Sequence, residues 1–429
     1  MSKFVADLHL HSSYARATSP NLNFDSLSQW AKLKGIKLLA SADFTHPVWW
    51  EETKNKLKES KHPGFYEYGG VHFVLGTEIS CIYSQGGKLR RIHCLVYFPE
   101  KEDVEKFNQQ LGRIGNLRAD GRPILGISAK QLLDITLSVN EKAIFIPAHV
   151  WTPWFSLYGS NSGFDSIGEC FGDLSKYIYA IETGLSSDPA MNWRIPELDN
   201  RSIVSLSDAH SCPKMGREAT VFDTDFSCDG ILQALKRQKI AFTIEFFPEE
   251  GKYHFTGHRN CSVRHSPEET ASKGIICPKC KKKLTIGVMH RVEQLAAKNR
   301  GEGFKPKDRP PFKRLVPLLE IIAEALGQQA GSNKVHEEYA GLVNHFGSEM
   351  NILLKVALND LEKAASIYRI VQGIEKVREG DIVVEPGYDG VYGVVKIWPN
   401  PTSATQAGLS ETKSKFSVRQ AEGQVGLFE

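Results

Sequence analysis

Asp7-Leu8-His9-Leu10-His11 follows the apolar run Phe4-Val5-Ala6 at the start of the chain. Residues two apart on an extended strand share a face, so the imidazoles of His9 and His11 point the same way. Such a pair suits a hydrolytic metal site. Metal-type side chains recur beside further strand-like runs. Asp43 and His46 follow 38–42, Glu78 follows 71–76, and His93 lies within 91–98. His149 follows 143–148, and Asp208 and His210 follow 203–207. Zn, Mn and Mg are the candidate ions; mixed imidazole and carboxylate ligands suit Zn or Mn better than Mg, which prefers oxygen. A shared carboxylate holds two ions about 3.5–4 Å apart, where they lower the pKa of water to about 7.

The elements that position these residues alternate. Helical patterns at 24–34, 49–58, 102–114, 128–138 and 229–239 fall between the strand-like runs. Alternation of this kind reads as α/β with a mainly parallel sheet. Catalytic residues at the C-terminal ends of parallel strands are the layout of a βα barrel. The texture changes after residue 246. With 429 residues, two or three domains are expected. The divisions fall at 1–246, 247–300, 301–398 and a polar tail at 399–429. Within the third, a helix over 315–326 ends at Gly327, a longer amphipathic helix spans 351–371, and a β-hairpin joins 381–385 to 391–398.

His258-Arg259-Asn260-Cys261 and Cys277-Pro278-Lys279-Cys280 have the spacing of a zinc ribbon with one cysteine replaced. The fourth ligand is His258 or His265, with His254 more distant. Four protein ligands close a site, so one structural zinc is expected. Lysines and arginines gather behind the knuckle, among them Lys281, Lys282, Lys283, Lys305, Lys307 and Arg309. The formal net charge is only +3, so a nucleic-acid surface must be local. Arg16, Arg90 and Arg91 are candidates for phosphates near the cut. The aromatic segment 151–163, behind His149, is a candidate pocket wall. No signal peptide and no apolar run long enough for a bilayer is evident, so no membrane partner is expected. Five of the eight cysteines are scattered and read as reduced small hydrophobes, which points to the cytoplasm.

The order His-x-His, Asp, Glu, His, Ala-His, Asp-Ala-His resembles the polymerase and histidinol phosphatase (PHP) superfamily over residues 1–245. That resemblance implies a distorted seven-stranded βα barrel with two or three divalent metals and phosphoester hydrolysis. It implies His9, His11, Glu78 and Asp208 as the catalytic ligands of one metal. It implies Glu78, His93 and His149 for a second, with Glu78 bridging. His210 falls in a third set, with Asp43 and His46 as further candidates. The pattern departs where Tyr14-Ala15-Arg16-Ala17 replaces a further ligand, and where His46 stands three residues behind Asp43. The barrel, the zinc ribbon, Gly287-Val288-Met289-His290-Arg291-Val292-Glu293 and the basic helical region together are similar to the endonuclease Q family. Its members nick DNA 5′ of deaminated bases (hypoxanthine, uracil, xanthine) and abasic sites. The resemblance therefore implies a DNA repair endonuclease acting on damaged single- or double-stranded DNA. Gln424, Leu427 and Phe428 resemble a peptide that binds the sliding clamp. The alternatives are a PHP-type small-molecule phosphatase and a non-catalytic DNA-binding adaptor.

Overall fold

The computed structural model describes residues 3–399; Gln424, Leu427 and Phe428 of the clamp-type peptide lie outside them. The chain folds as α/β. In order, its first strands are β1 (Phe4–Asp7), β2 (Leu38–Ala40), β3 (Lys58–Glu59), β4 (Tyr66–Tyr68), β5 (Val71–Gln85) and β6 (Lys88–Phe98). There follow β7 (Ile124–Leu125), β8 (Ile144–Pro147), β9 (Ala180–Glu182), β10 (Ser202–Val204), β11 (Ala219–Phe222) and β12 (Ile240–Glu245). Parallel ladders join β1 to β2 and β2 to β5. Antiparallel ladders join β1 to β11, β11 to β12, β5 to β6 and β6 to β8.

The ladders among the described residues do not by themselves trace the closed seven-stranded ring that was expected. One sheet holds 11 strands, and β9 and β10 form a pair of their own. The chain beside these short strands leaves β geometry at His149, Leu185 and Asp208, which all have positive φ, so regular ladders cannot continue through them. Isolated contacts span the gaps: Val150 N donates to Glu182 O at 3.2 Å, and Leu10 bridges Ala209.

Helices stand close to where the pattern places them: Phe24–Lys34, Pro47–Lys56, Lys101–Leu111, Ala129–Val139 and Cys228–Arg237. Local chemistry sets their ends. The Asn23 side chain accepts from Ser26 N, and Ser128 with Gln131 forms a capping box. The hairpin between β5 and β6 turns through Gly86 and Gly87, with φ of 61° and 70°. A two-residue turn of this type needs left-handed residues, and it pins the strand register. Glu78 then lies opposite Leu95 and diagonal to His93, on one face of the sheet.

The C-terminal region is built onto this sheet. Strand β13 (Thr256–His258) pairs with β14 (Val263–His265), and β15 (Phe312–Arg314) adds parallel to β12. Ala219, Val221, Phe242 and Ile244 of β11 and β12 share a core with the helices that follow. The single helix expected over 351–371 is broken into Glu349–Leu354, Leu358–Ala364 and Tyr368–Glu379, with extended residues at Ala357 and Ile367. A straight helix would hold Ile352 and Val371 about 28 Å apart. The breaks let both, with Leu361 and Ile370, reach the same core. The chain then forms an antiparallel hairpin of Val383–Glu385 with Val394–Lys396.

Lys34 and Glu349 join the two halves by an ion pair at 2.7 Å, both side chains almost fully buried. Glu349 also accepts from Leu318 N and Tyr339 Oη, at 3.1 and 2.9 Å. Lys34→Met leaves this carboxylate buried without its cation. Stability should fall by about 3 kcal/mol, seen as a lower urea midpoint at unchanged slope. An unchanged midpoint would show that the pair does not hold the halves together.

Candidate active site

Glu78 lies between two groups of ligand-type side chains. Its Oε2 faces His11 Nε2 at 3.3 Å and His9 Nε2 at 3.5 Å. Asp208 Oδ1 stands 3.1 Å from His11 Nε2 and 3.5 Å from His9 Nε2. On the other side, Glu78 Oε1 faces His93 Nδ1 at 2.7 Å and His149 Nε2 at 3.2 Å. The structure thus brings together His9, His11, Glu78 and Asp208, and around the same glutamate His93 and His149. Within each group the ligand atoms lie within 4.8 Å of one another.

Further residues aim the rings. Glu182 Oε1 holds His9 Nδ1 at 2.8 Å, Asp43 Oδ1 holds His11 Nδ1 at 3.1 Å, and Ser156 Oγ holds His149 Nδ1 at 3.2 Å. Each contact leaves Nε2 directed at the centre, the arrangement common around metal-ligating histidines. Backbone strain collects here too. Asp43, His149 and Asp208 have φ of 37°, 30° and 47°, each at a cost of about 1–3 kcal/mol. Gly184 packs so closely on His149 that a Cβ would collide with it.

Two observations test whether these residues fit divalent metals. His9 Nε2 is buried without a hydrogen-bond partner, although it points at carboxylates. Glu78, Asp43 and Glu182 are buried and Asp208 nearly so, yet among the described residues Arg122 is the one lysine or arginine that forms an ion pair with any of the four. Burial alone would deprotonate His9 and His11, but the carboxylates outweigh it and hold both pKa values well above 6.5. Bound protons here supply charge that a divalent cation would supply better. The donor set fits.

Other candidates fall outside the two groups. Asp43 Oδ2 accepts from Ser12 N at 2.6 Å and Ser12 Oγ at 2.7 Å, so Asp43 is committed to His11 and its loop. His46 caps the helix Pro47–Lys56 and stacks on Tyr14 at 4.5 Å. His210 sits beside the first group, its ring 4.8 Å from that of His11 and its Nδ1 2.9 Å from Asp208 O. Among the described residues, no third group of ligands forms around them. Glu182 and Arg122 are additions that the sequence reading missed. Ala180-Ile181-Glu182 carries the same strand-end signal as the other ligands. Arg122 follows a glycine turn and carries none.

A separate group forms away from this centre. The ligand atoms of His258, Cys261, Cys277 and Cys280 lie within 4.8 Å of one another, with Cys280 Sγ 3.6 Å from His258 Nδ1. His258 therefore takes the place left open between it and His265. Burial would raise the Cys277 thiol, but backbone N–H groups of Cys280 and Lys279 outweigh it and bring it to about 6. A thiol so easily ionised suits a tetrahedral zinc. The five other cysteines are buried and unpaired.

Similarity to known proteins decides the family. Residues 317–381 match a family model described as the MJ0043 C-terminal domain. The chain is 33% identical over 257 residues to the protein MJ0043 of Methanocaldococcus jannaschii, covering 58% of this chain and 31% of that one. The chain thus spans about a third of that relative's length. It is 30% identical over 421 residues to YqxK of Bacillus subtilis, covering 92% of this chain and 100% of that one. The crystal structure of the lesion-specific endonuclease PfuEndoQ from Pyrococcus furiosus matches with a TM-score of 0.81 and 29% identity, over 95% of this chain and 100% of that one. An endonuclease Q complex with a 27-mer duplex substrate carrying an abasic lesion at the active site matches with a TM-score of 0.81 and 31% identity, over 92% and 97%. The chain belongs to the endonuclease Q family. It is a metal-dependent nuclease.

In this endonuclease Q chain the basic residues divide by type. Several arginines turn inward. Arg309 donates to Leu198 O at 3.1 Å, to Asp199 O at 3.0 Å and to Gln238 Oε1, so it clasps the fold rather than offering an open phosphate contact. Arg291 holds Tyr158 O and Phe164 O, Arg300 pairs with Asp199, and Arg314 pairs with Asp188. Arg90 donates to Gly163 O and lies over Phe164, and Arg91 lies over Phe155. A guanidinium can serve several carbonyls at once, which suits it to such clasps. The lysines stay outside: Lys281, Lys282, Lys283, Lys305 and Lys307 are exposed. Arg16 is exposed too, 3.3 Å from Asp120. In the segment 151–163, Trp151 and Tyr158 are core residues, whereas Trp154 and Phe155 remain partly open. Phe155 packs on His93 at 4.8 Å.

Asp208→Asn should lower the metal content of the Glu78 centre while leaving one zinc per chain, measured by elemental analysis after dialysis. Unchanged content would remove Asp208 from the ligand set. Cys277→Ser with Cys280→Ser should do the reverse, losing that zinc and speeding proteolysis behind residue 246. Full zinc content in the double variant would refute the four-ligand site.

Proposed function

We propose that the chain is a DNA repair endonuclease. It hydrolyses the phosphodiester 5′ of a deaminated base (hypoxanthine, uracil or xanthine) or an abasic site, leaving 3′-hydroxyl and 5′-phosphate ends. The observation that carries this reading is Glu78 shared between two histidine groups, in a chain similar along its length to an endonuclease Q solved on a duplex with an abasic lesion. Two divalent metals, Zn, Mn or Mg, occupy the two groups in this reading. His210 is the residue nearest to a third site. Bound there, the metals would activate water and neutralise the charge of the phosphate. The protein's own residues prepare the place. Glu182, Asp43 and Ser156 fix the rings, and Glu78 ties the two groups together.

The seven strands of the barrel reading are β1, β2, β5, β6, β8, β9 and β10, with the Val150–Glu182 and Leu10–Ala209 contacts supporting closure. The working divisions are 1–246 for catalysis, 247–300 for the ribbon, 301–398 for the helical part and 399–429 for the tail. A lesion inside a duplex is reached by turning the base out of the stack. The partly open Trp154 and Phe155, beside His93, support a base-facing role for the segment 151–163. The exposed lysines of the knuckle support a sequence-independent phosphate surface. A cytoplasmic location and a clamp-binding role for Gln424, Leu427 and Phe428 complete the reading.

Purified protein with Mn or Zn should nick duplexes carrying one inosine, uracil or abasic site and spare undamaged duplex. Asp208→Ala should abolish nicking with duplex affinity kept. Charge reversal at Lys281, Lys282 and Lys283 should weaken binding to damaged and undamaged duplex alike and flatten its salt dependence. Cleavage of small phosphomonoesters without any nicking would replace this reading with a phosphatase.

A further inference from the structure

We propose that Arg122 is a further catalytic residue, whose guanidinium donates to a non-bridging oxygen of the phosphodiester being cut. The proposal rests on the nuclease reading above. The loop that carries Arg122 is built to hold it in place. Gly121 N donates to Tyr14 O at 3.0 Å, and a Cβ at Gly121 would collide with Asp43 Oδ2 and approach Ala15 N to 2.9 Å. Only glycine permits that approach. Buried Asp120 accepts from Arg16 N and Arg122 N through the same Oδ1, at 3.1 Å each. Beyond the arginine, Pro123 O accepts from Ser80 N on β5 at 3.0 Å. The loop is therefore fastened on one side to the segment behind His11 and on the other to the strand of Glu78.

From that platform Arg122 Nη1 reaches Glu78 Oε2 at 3.0 Å. Among the described residues this is its one side-chain hydrogen bond, and 24% of the side chain is exposed. Arg90 and Arg309 differ, since their donors close on backbone carbonyls. An open cationic edge thus stands beside the carboxylate that joins the two ligand groups. In the reaction a water oxygen bonds to phosphorus and the P–O3′ bond breaks. The 3′ oxygen leaves and takes up a proton from that water. Negative charge grows on the non-bridging oxygens on the way, and a fixed guanidinium stabilises it there.

The test compares Arg122→Met and Arg122→Lys with the parent holoenzyme. The Met variant should lose about 10²–10³-fold in cleavage rate, with metal content and duplex affinity within twofold of the parent. Lysine should recover only part of the loss, because it lacks the planar fork. Inorganic phosphate should raise the melting temperature of the parent and not that of Arg122→Met. Bis(p-nitrophenyl) phosphate serves as a diester without a base. If the parent cleaves it but nicks no lesion, the DNA reading fails while the Arg122 comparison still decides. A parent-like rate in Arg122→Met overturns the proposal, and so does loss of metal, which would make Arg122 a positioning residue for Glu78. If the Met variant does not fold, Arg122→Lys decides: a tenfold or greater loss at full metal content supports the contact, and an unchanged rate overturns it.

Discussion

A single buried carboxylate sets the terms for the catalytic half of the chain. Glu78 is shared by two ligand groups, one oxygen to each, and neither group is complete without it. Burying that charge costs several kcal/mol unless cations and donors surround it. Imidazoles and one guanidinium do so in the protein, and the remaining deficit is what a metal relieves. The geometry of this meeting comes from the β5–β6 hairpin. Its glycine turn fixes the register, and a slip by one residue would send Glu78 to the opposite face.

The parts of the site that the sequence displays are those where a strand-like run ends in a ligand. His9, His11, His149 and Asp208 sit in such settings, Glu78 and His93 lie inside the long strands β5 and β6, and the structure gathers all six. Residues that act at one remove are harder to read. Asp43 has the same strand-end signal, yet it orients His11 instead of joining either group. Nothing in the spacing distinguishes the two roles, because both need a carboxylate facing an imidazole. Arg122 is invisible for another reason: its place depends on a close loop contact at Gly121 between segments far apart in sequence. Charge clusters mislead in a further way. A run of lysines and arginines looks uniform, but Arg309 and Arg291 are absorbed by carbonyls that only the fold supplies. The broken helix over 351–371 was likewise illegible, since its apolar spacing is helical and the breaks arise from the shape of the core.

The module that carries His258, Cys261, Cys277 and Cys280 is joined to the face of the Glu78 centre through the segment behind His149. Arg291 grips Tyr158 O, Ser160 Oγ donates to Ile286 O at 3.3 Å, and Trp154 packs on Tyr253 at 5.4 Å. Val288 and Val292 enter the main core. A loop anchored in this way has few conformations to lose on meeting a ligand, which favours affinity.

Strand β15 carries a consequence for how the molecule is made. It comes from beyond the cysteine-bearing module, yet it pairs with β12 as the outer strand on that side of the sheet. During synthesis the catalytic half emerges first, with the β12 edge bare and apolar residues of β11 and β12 uncovered. A bare edge of this kind invites pairing with other chains. Long-range parallel pairing is also slow to form. The nascent enzyme thus passes through an interval in which its active-site residues exist but its sheet is unfinished, and the cysteine-bearing module has to be made before the edge closes. A chain cut short behind residue 246 would stay in that interval, prone to aggregation whatever the state of its metal ligands.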